Sequence, residues 1–238
     1  RAEKTSILGE YEARQGEIVS GKVQRMERGA IFVDLGRTVA ILPREEQIPG
    51  EYYRQGEHIK AYLYAVEDTP RGISLRLSRA HPQFVVKLFS VEASEIAAGT
   101  VEIKSIAREA GSRTKIAVIS HDANIDAVGS CVGQRGARVT AVINELGGEK
   151  IDITEWSENT KTFIENALSP AKVISMELNE AEKSAKVEVA PDQFSLAVGR
   201  GGQNVRLAVK LTGWKIDISS PGAMAETSQE EPESLPEE

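Results

Sequence analysis

Between residues 16 and 79 apolar and polar positions alternate, as where Ile31, Val33 and Leu35 fall on one side and Phe32 and Asp34 on the other. A period of two marks a half-buried strand. Comparable stretches at 16–28, 29–37, 38–46, 57–68 and 71–79, parted by turns, predict five short strands. From residue 82 the period lengthens. Val85, Leu88, Phe89 and Ile96 predict one amphipathic helix over 82–98, with Pro82 at its start, where helices tolerate proline. Strands at 101–108 and 115–120, helices at 125–132 and 137–146, and a strand at 151–153 follow. The same order then returns: a helix at 160–168, strands at 173–178 and 185–189, helices at 193–198 and 203–211, and a strand at 215–218.

The second round is a sequence repeat as well as a pattern repeat. Val132-Gly133-Gln134-Arg135-Gly136-Ala137-Arg138-Val139 returns as Val198-Gly199-Arg200-Gly201-Gly202-Gln203-Asn204-Val205, and LGGEKIDI at 146–153 as LTGWKIDI at 211–218. Such self-similarity marks a duplicated module. Each copy is centred on a G-x-x-G loop that joins two helices. Glycine there permits backbone angles closed to other residues and lets a ligand come up against the main chain. The departing helix presents its unpaired N–H groups and positive dipole end to the loop, so an anion is the natural guest. Arg135 and Arg138 in one copy, and Arg200 and Arg206 in the other, add cations suited to a phosphodiester backbone. The candidate residues for holding such a backbone are therefore Gly133, Gln134, Arg135, Gly136 and Arg138, with Gly199, Arg200, Gly201, Gly202, Asn204 and Arg206. A lone G-x-x-G could equally be a tight turn without a ligand; duplication and the flanking arginines favour the ligand. A dinucleotide fingerprint would follow a strand, whereas this loop follows a helix, and no G-x-x-x-x-G-K-[ST] string is present.

These loops and their surroundings resemble KH domains, whose G-x-x-G loop clamps about four nucleotides of single-stranded nucleic acid. With the helix ahead of the strands, the order α-β-β-α-α-β resembles the type II arrangement. The five strands suggest an OB-type barrel, and Gly16-Glu17-Ile18-Val19, residues 29–36, Leu42-Pro43-x-Glu45 and Ile73-x-Leu75-x-Leu77-Ser78 resemble an S1 domain. RNA-binding S1 domains usually carry two aromatics and a histidine on the barrel face. Here the histidine is missing near Leu42 and Pro43, which leaves Phe32 as the stacking platform, with Lys22 and Arg25 among the nearby cations. The fold class is thus multidomain β plus α/β: an S1 barrel followed by two type II KH domains. In that order, and with the strings at 102–104, 111–118, 125–139 and 197–208, the chain resembles the NusA family of transcription elongation, termination and antitermination factors.

The resemblance implies a non-enzymatic segment, without catalytic residues or cofactor, that contacts nascent single-stranded RNA, RNA polymerase and other elongation or antitermination factors. It also implies an amino-terminal polymerase-docking domain that these residues do not include, whose departing helix would be residues 1–13. The remaining boundaries are expected at 14–80 for S1, 81–156 and 157–220 for the KH domains, and 221–238 for an acidic, disordered tail. Beside the corners Val132, Ile151 and Ile153, and Val198, Ile216 and Ile218, are core residues first, with a partial role in accepting bases. Two alternatives remain: the RNA-binding module of a ribonuclease such as polynucleotide phosphorylase, or a ribosome-associated KH protein.

Charge does not oppose this reading. The formal net charge is −7, yet residues 222–238 hold six Glu and no Lys or Arg, whereas Arg200, Arg206, Lys210 and Lys215 face only Asp217 in the stretch 196–219. The single Cys131 excludes an internal disulfide and is expected in the core of a protein from a reducing compartment. His58, His81 and His121 stand apart without partners at ligand spacing, so no metal site is expected. No long apolar run or signal peptide is present, and the chain starts at Arg1 rather than Met. A cytoplasmic monomer cut from a longer polypeptide, without membrane contact, is expected. Only residues 155–159 separate the two KH units, so short a connection that both are expected to engage one RNA strand.

Overall fold

The computed structural model describes residues 1–221, so the acidic stretch 222–238 lies outside the described residues. The chain divides into two compact units: residues 1–103, 108–114 and 120–151 form the first, and 104–107, 115–119 and 152 onward the second. The division runs through the middle of the first KH unit rather than along the connection at 155–159.

In the first unit, helix α1 (Ala2–Arg14) buries Ile7 and Tyr11 with the core of the barrel. Strands β1 (Ile18–Glu27), β2 (Ala30–Asp34), β3 (Val39–Leu42), β4 (His58–Thr69) and β5 (Gly72–Ser78) close in the order β1-β2-β3-β5-β4. The alternation read from the sequence is the alternation of burial. Ile31 and Val33 are fully enclosed, whereas Phe32 is half-buried and Asp34 exposed. Closure is weakest between β3 and β5, which share the single parallel pair Ile41 and Arg76.

The helix expected over 82–98 is two helices, α2 (Pro82–Glu92) and α3 (Ser94–Ala97). Ala93 between them is extended, with φ −113° and ψ 108°, and completely buried. Packing overrides the apolar periodicity there and brings Glu95 of α3 within reach of Arg138. At the start of α2 the His81 ring nitrogen caps the Gln83 N–H at 2.9 Å.

A buried polar network ties the barrel to the helices that follow it. Arg108 donates to the carbonyls of Arg79 and His81 at 2.7 and 3.0 Å, and clasps Glu149 through Nε and Nη2, each at 3.0 Å. The same carboxylate accepts the Gly111 N–H at 2.7 Å and the Thr114 hydroxyl at 2.6 Å. Arg79 reaches the Lys60 and Glu145 carbonyls at 2.6 and 2.8 Å and the Glu51 carboxylate at 2.7 Å. A charge removed from water is tolerable only when most of its bonds are filled; here Arg79 Nε and Glu51 Oε2 are the buried atoms of the network that find no hydrogen-bond partner.

The first KH unit continues with β6 (Val101–Glu109), β7 (Arg113–Ser120), α4 (Ala127–Val132), α5 (Ala137–Glu145) and β8 (Lys150–Glu155), its strands lying in the order β6-β7-β8. The second repeats the order with α6 (Thr160–Ala167), β9 (Val173–Asn179), β10 (Ser184–Val189), α7 (Phe194–Val198), α8 (Gln203–Thr212) and β11 (Lys215–Ser219). Strand β10 is central, antiparallel to β9 and parallel to β11. Its Ala185, Val187 and Val189 pack with Leu207, Ala208 and Leu211 of α8 and Ile164 and Leu168 at the end of the unit's first helix. Trp156, in the short connection, sits 6.2 Å from the Phe163 ring with the Lys104 ammonium 5.0 Å from its own.

Candidate nucleic-acid interface

The two glycine corners have the same backbone, residue for residue. Gly133 and Gly199 sit at φ/ψ 77°/173° and 78°/169°, Gly136 and Gly202 at 73°/15° and 75°/13°. The third loop residue is left-handed in both: Arg135 at 57°/26° and Gly201 at 60°/23°. The second copy fills that position with the residue that adopts it freely; the first holds an arginine there, at a cost on the order of 1 kcal/mol. The departing helices α5 and α8 begin at the last glycine, and no side chain caps either start. Their first-turn N–H groups and dipole therefore act at the loop.

The four glycines do different work. A Cβ on Gly133 would lie 2.6 Å from Arg138 Cγ, and one on Gly199 2.6 Å from the Asn204 backbone nitrogen. The space freed at the first glycine is taken by the protein's own departing helix rather than by a ligand. Gly136 and Gly202 have no such close neighbour and are required by their positive φ.

Two of the expected RNA-binding side chains are held by the protein itself: Asn204 turns fully inward, and Arg138 is clamped while still lining the groove beside its corner. Asn204 is completely buried, its amide donating to the carbonyls of Ala197 at 2.8 Å and Leu168 at 3.1 Å. This corrects its assignment to the RNA surface. Arg138, the fifth residue after the first glycine just as Asn204 is after its own, binds the Ser130 carbonyl at 2.8 Å and Glu95 at 2.6 Å. Its guanidinium and the backbone N–H of Glu95 hold that carboxyl below the usual carboxylate range, the backbone bond being the larger cause. At equivalent positions, then, each corner carries a clamp that ties the end of its incoming helix to an earlier helix of the same KH unit. The loop tips remain outside. Gln134, Arg135, Arg200 and Gly201 are exposed or nearly so, and Arg206 lays its guanidinium on the Gly201 carbonyl at 2.9 Å. Cys131, immediately before the first corner, is fully buried, and burial pushes its thiol up to about 11.

Beside the first corner runs a groove of about 660 Å³ whose lining includes Asn124, Ile125, Asp126, Ser130 and Gln134. It mixes apolar wall with donors and acceptors, the chemistry of a nucleobase edge rather than of a phosphate. None of the first four was expected from the sequence; the polar residues flanking the apolar helix at 125–132 were the available signal. Of the expected aliphatics, Ile216 is almost wholly core, and Val132, Ile151, Ile153, Val198 and Ile218 are half-buried.

On the barrel, Arg25 lies 4.2 Å from the centre of the Phe32 ring, so the expected platform and one of its cations meet. Phe32 lines a groove of about 610 Å³ along the loosely closed β3–β5 seam, together with Ile41, Arg71, Ile73 and Arg76. Arg71 and Arg76 were missed, although Arg76 occupies the polar phase between Leu75 and Leu77. Lys22 does not join them. It lines a separate groove with Ser20, Asp34 and His58.

Among the described residues no group of His, Cys, Asp or Glu is placed to hold a metal ion, and no helix is long and apolar enough to cross a membrane. Family models match along the chain in the order the elements show: S1 RNA binding domain at 12–78, NusA-like first KH domain at 79–156 and NusA-like second KH domain at 160–226. The Mycobacterium tuberculosis (strain H37Rv) protein named transcription termination/antitermination protein NusA is 45% identical over 97% of this chain and 69% of its own length. The chain belongs to the NusA family. Proteins of the same name from Bacillus subtilis and Thermus thermophilus are 51% and 52% identical over 92% and 90% of the chain. The chain spans 59% and 56% of those NusA proteins.

Proposed function

We propose that the chain is the RNA-binding segment of a bacterial NusA factor, acting in the cytoplasm on nascent single-stranded RNA and so modulating pausing, termination and antitermination by RNA polymerase. The observation that carries the reading is the corner itself: one loop conformation built twice, each with an arginine at its tip and an uncapped helix start behind it. Phosphates would sit at Arg135 and Arg200 and the loop amides, with bases in the groove beside Ile125 and Ser130. The Phe32–Arg25 pair with Arg71 and Arg76 gives the barrel its own stacking and phosphate chemistry. Family membership supports this reading over a phosphorolytic ribonuclease, in which KH precedes S1 beside large catalytic domains.

The test replaces Gln134, Arg135, Arg200 and Gly201 with Asp. The quadruple variant is expected to bind a single-stranded RNA of about ten nucleotides at least tenfold more weakly by fluorescence anisotropy, with an unchanged circular dichroism spectrum. An Asp at Gly201 has open space around it but must adopt the left-handed backbone, at a cost on the order of 1 kcal/mol, so the melting temperature should fall only by a few degrees. RNA affinity equal to that of the parent would overturn the proposal.

A further inference from the structure

Lys115 is a charged side chain with no exposure at all. It stands on β7, and its ammonium donates to Asp152 of β8 at 2.8 Å and to the backbone carbonyl of Ser169, just beyond α6, at 2.9 Å. The first partner belongs to the first KH unit and the second to the second. A buried ammonium is costly unless its bonds are filled, and here one is filled by the carboxyl end of a helix, where the dipole favours a cation. The neighbouring carbonyl, that of Leu168, accepts the buried amide of Asn204 at 3.1 Å. The same amide nitrogen holds the Ala197 carbonyl in the last turn of α7 at 2.8 Å. Asn204 is also the residue that a Cβ on Gly199 would strike. A continuous run of short bonds thus leads from a strand of the first KH unit, through the end of α6, to both helices of the second glycine corner.

We propose that Lys115 is a positioning residue for that corner. It fixes the end of α6, which fixes Asn204, which sets how α7 and α8 meet at Gly199–Gly202. The first corner has no counterpart to this arrangement, since Arg138 is anchored by Glu95 of its own KH unit. RNA binding at the second corner therefore depends on the first KH unit's strands even where no RNA touches them. That dependence rests on the proposed RNA-binding role of the loops.

The experiment uses the whole chain. Lys115→Met alone would take the ammonium from a largely buried carboxylate, so the working variant is Lys115→Met with Asp152→Leu, because an apolar replacement of both members of a buried pair commonly preserves stability. Backbone amide resonances of residues 199–203 should shift in this variant, and those of 133–137 should stay in place. Affinity for a ten-nucleotide RNA should fall about three- to tenfold. In the background of Arg200→Asp with Gly201→Asp that loss should vanish, because the two changes act on one corner, whereas with Arg135→Asp it should persist in full. Unmoved amides at 199–203, equal shifts at both corners, or an RNA loss that simply adds to the Arg200 variant would each overturn the proposal. If the Arg200 variant itself leaves RNA affinity intact, the RNA-binding reading fails. The amide shifts then still decide whether Lys115 positions the corner.

Discussion

Arg135 is one of three non-glycine residues with positive φ among the described residues, the others being Arg28 and Lys183. The matching position in the second corner is Gly201. Replacing Arg135 with Gly relieves the left-handed strain but frees the unfolded chain, two effects of similar size, so stability should change by less than about 1 kcal/mol. The cation is lost outright. If Arg135 meets one RNA phosphate, the slope of log K against log salt should become shallower by about 0.7 in Arg135→Gly. An unchanged slope with reduced affinity would show that the side chain acts on bases instead. The tips were legible in the sequence because glycine spacing and arginine need no knowledge of orientation. Asn204 was misread because a polar residue near a loop looks alike whether it points out or in. A signal was nonetheless present: Asn204 opens the buried stripe it shares with Leu207, Ala208 and Leu211, and a polar residue on an apolar stripe is an inward clamp.

At the level of elements, the five strands and both rounds of α-β-β-α-α-β follow from periodicity. The break between α2 and α3 does not, since it depends on Ala93 being sealed by packing. The break places Glu95 against Arg138, and the Glu95 carboxyl, held first by its own backbone N–H and then by Arg138, has a pH signature. Glu95 is held below the usual carboxylate range in the fold, so its contribution is present above its unfolded value, about 4.3, and is lost as pH falls through the depressed one. Glu95→Gln should therefore unfold at lower urea than the parent near neutral pH, the gap holding down to about pH 5 and closing in more acid solution. Urea midpoints across that range would show it. A gap independent of pH would mean that the clamp works through shape and not charge.

For the whole molecule, the repeat identifies two covalent modules but not the compact units, because packing between modules leaves no periodic trace. A lysine directly ahead of the apolar run Ile116–Ile119 in β7 was the only hint. Charge distribution, by contrast, is plain from the sequence, and it yields an expectation for the complete chain. Asp and Glu outnumber Lys and Arg by 36 to 29, with six of those Glu in residues 222–238, so the remainder is nearly neutral and Arg200, Arg206, Lys210 and Lys215 form a local basic patch. An acidic segment covalently joined beyond β11 is expected to repel RNA and to compete with it for that patch. Both effects reach about 30 Å at 0.01 M salt and about 8 Å at physiological ionic strength. Removing residues 222–238 should raise RNA affinity severalfold at the lower salt, and the advantage should shrink as screening increases, with the melting temperature unchanged. Parallel anisotropy titrations of the two chains across salt would measure it. A loss of affinity on truncation would instead make the acidic segment part of the binding surface, with its Glu side chains facing base edges and not phosphates.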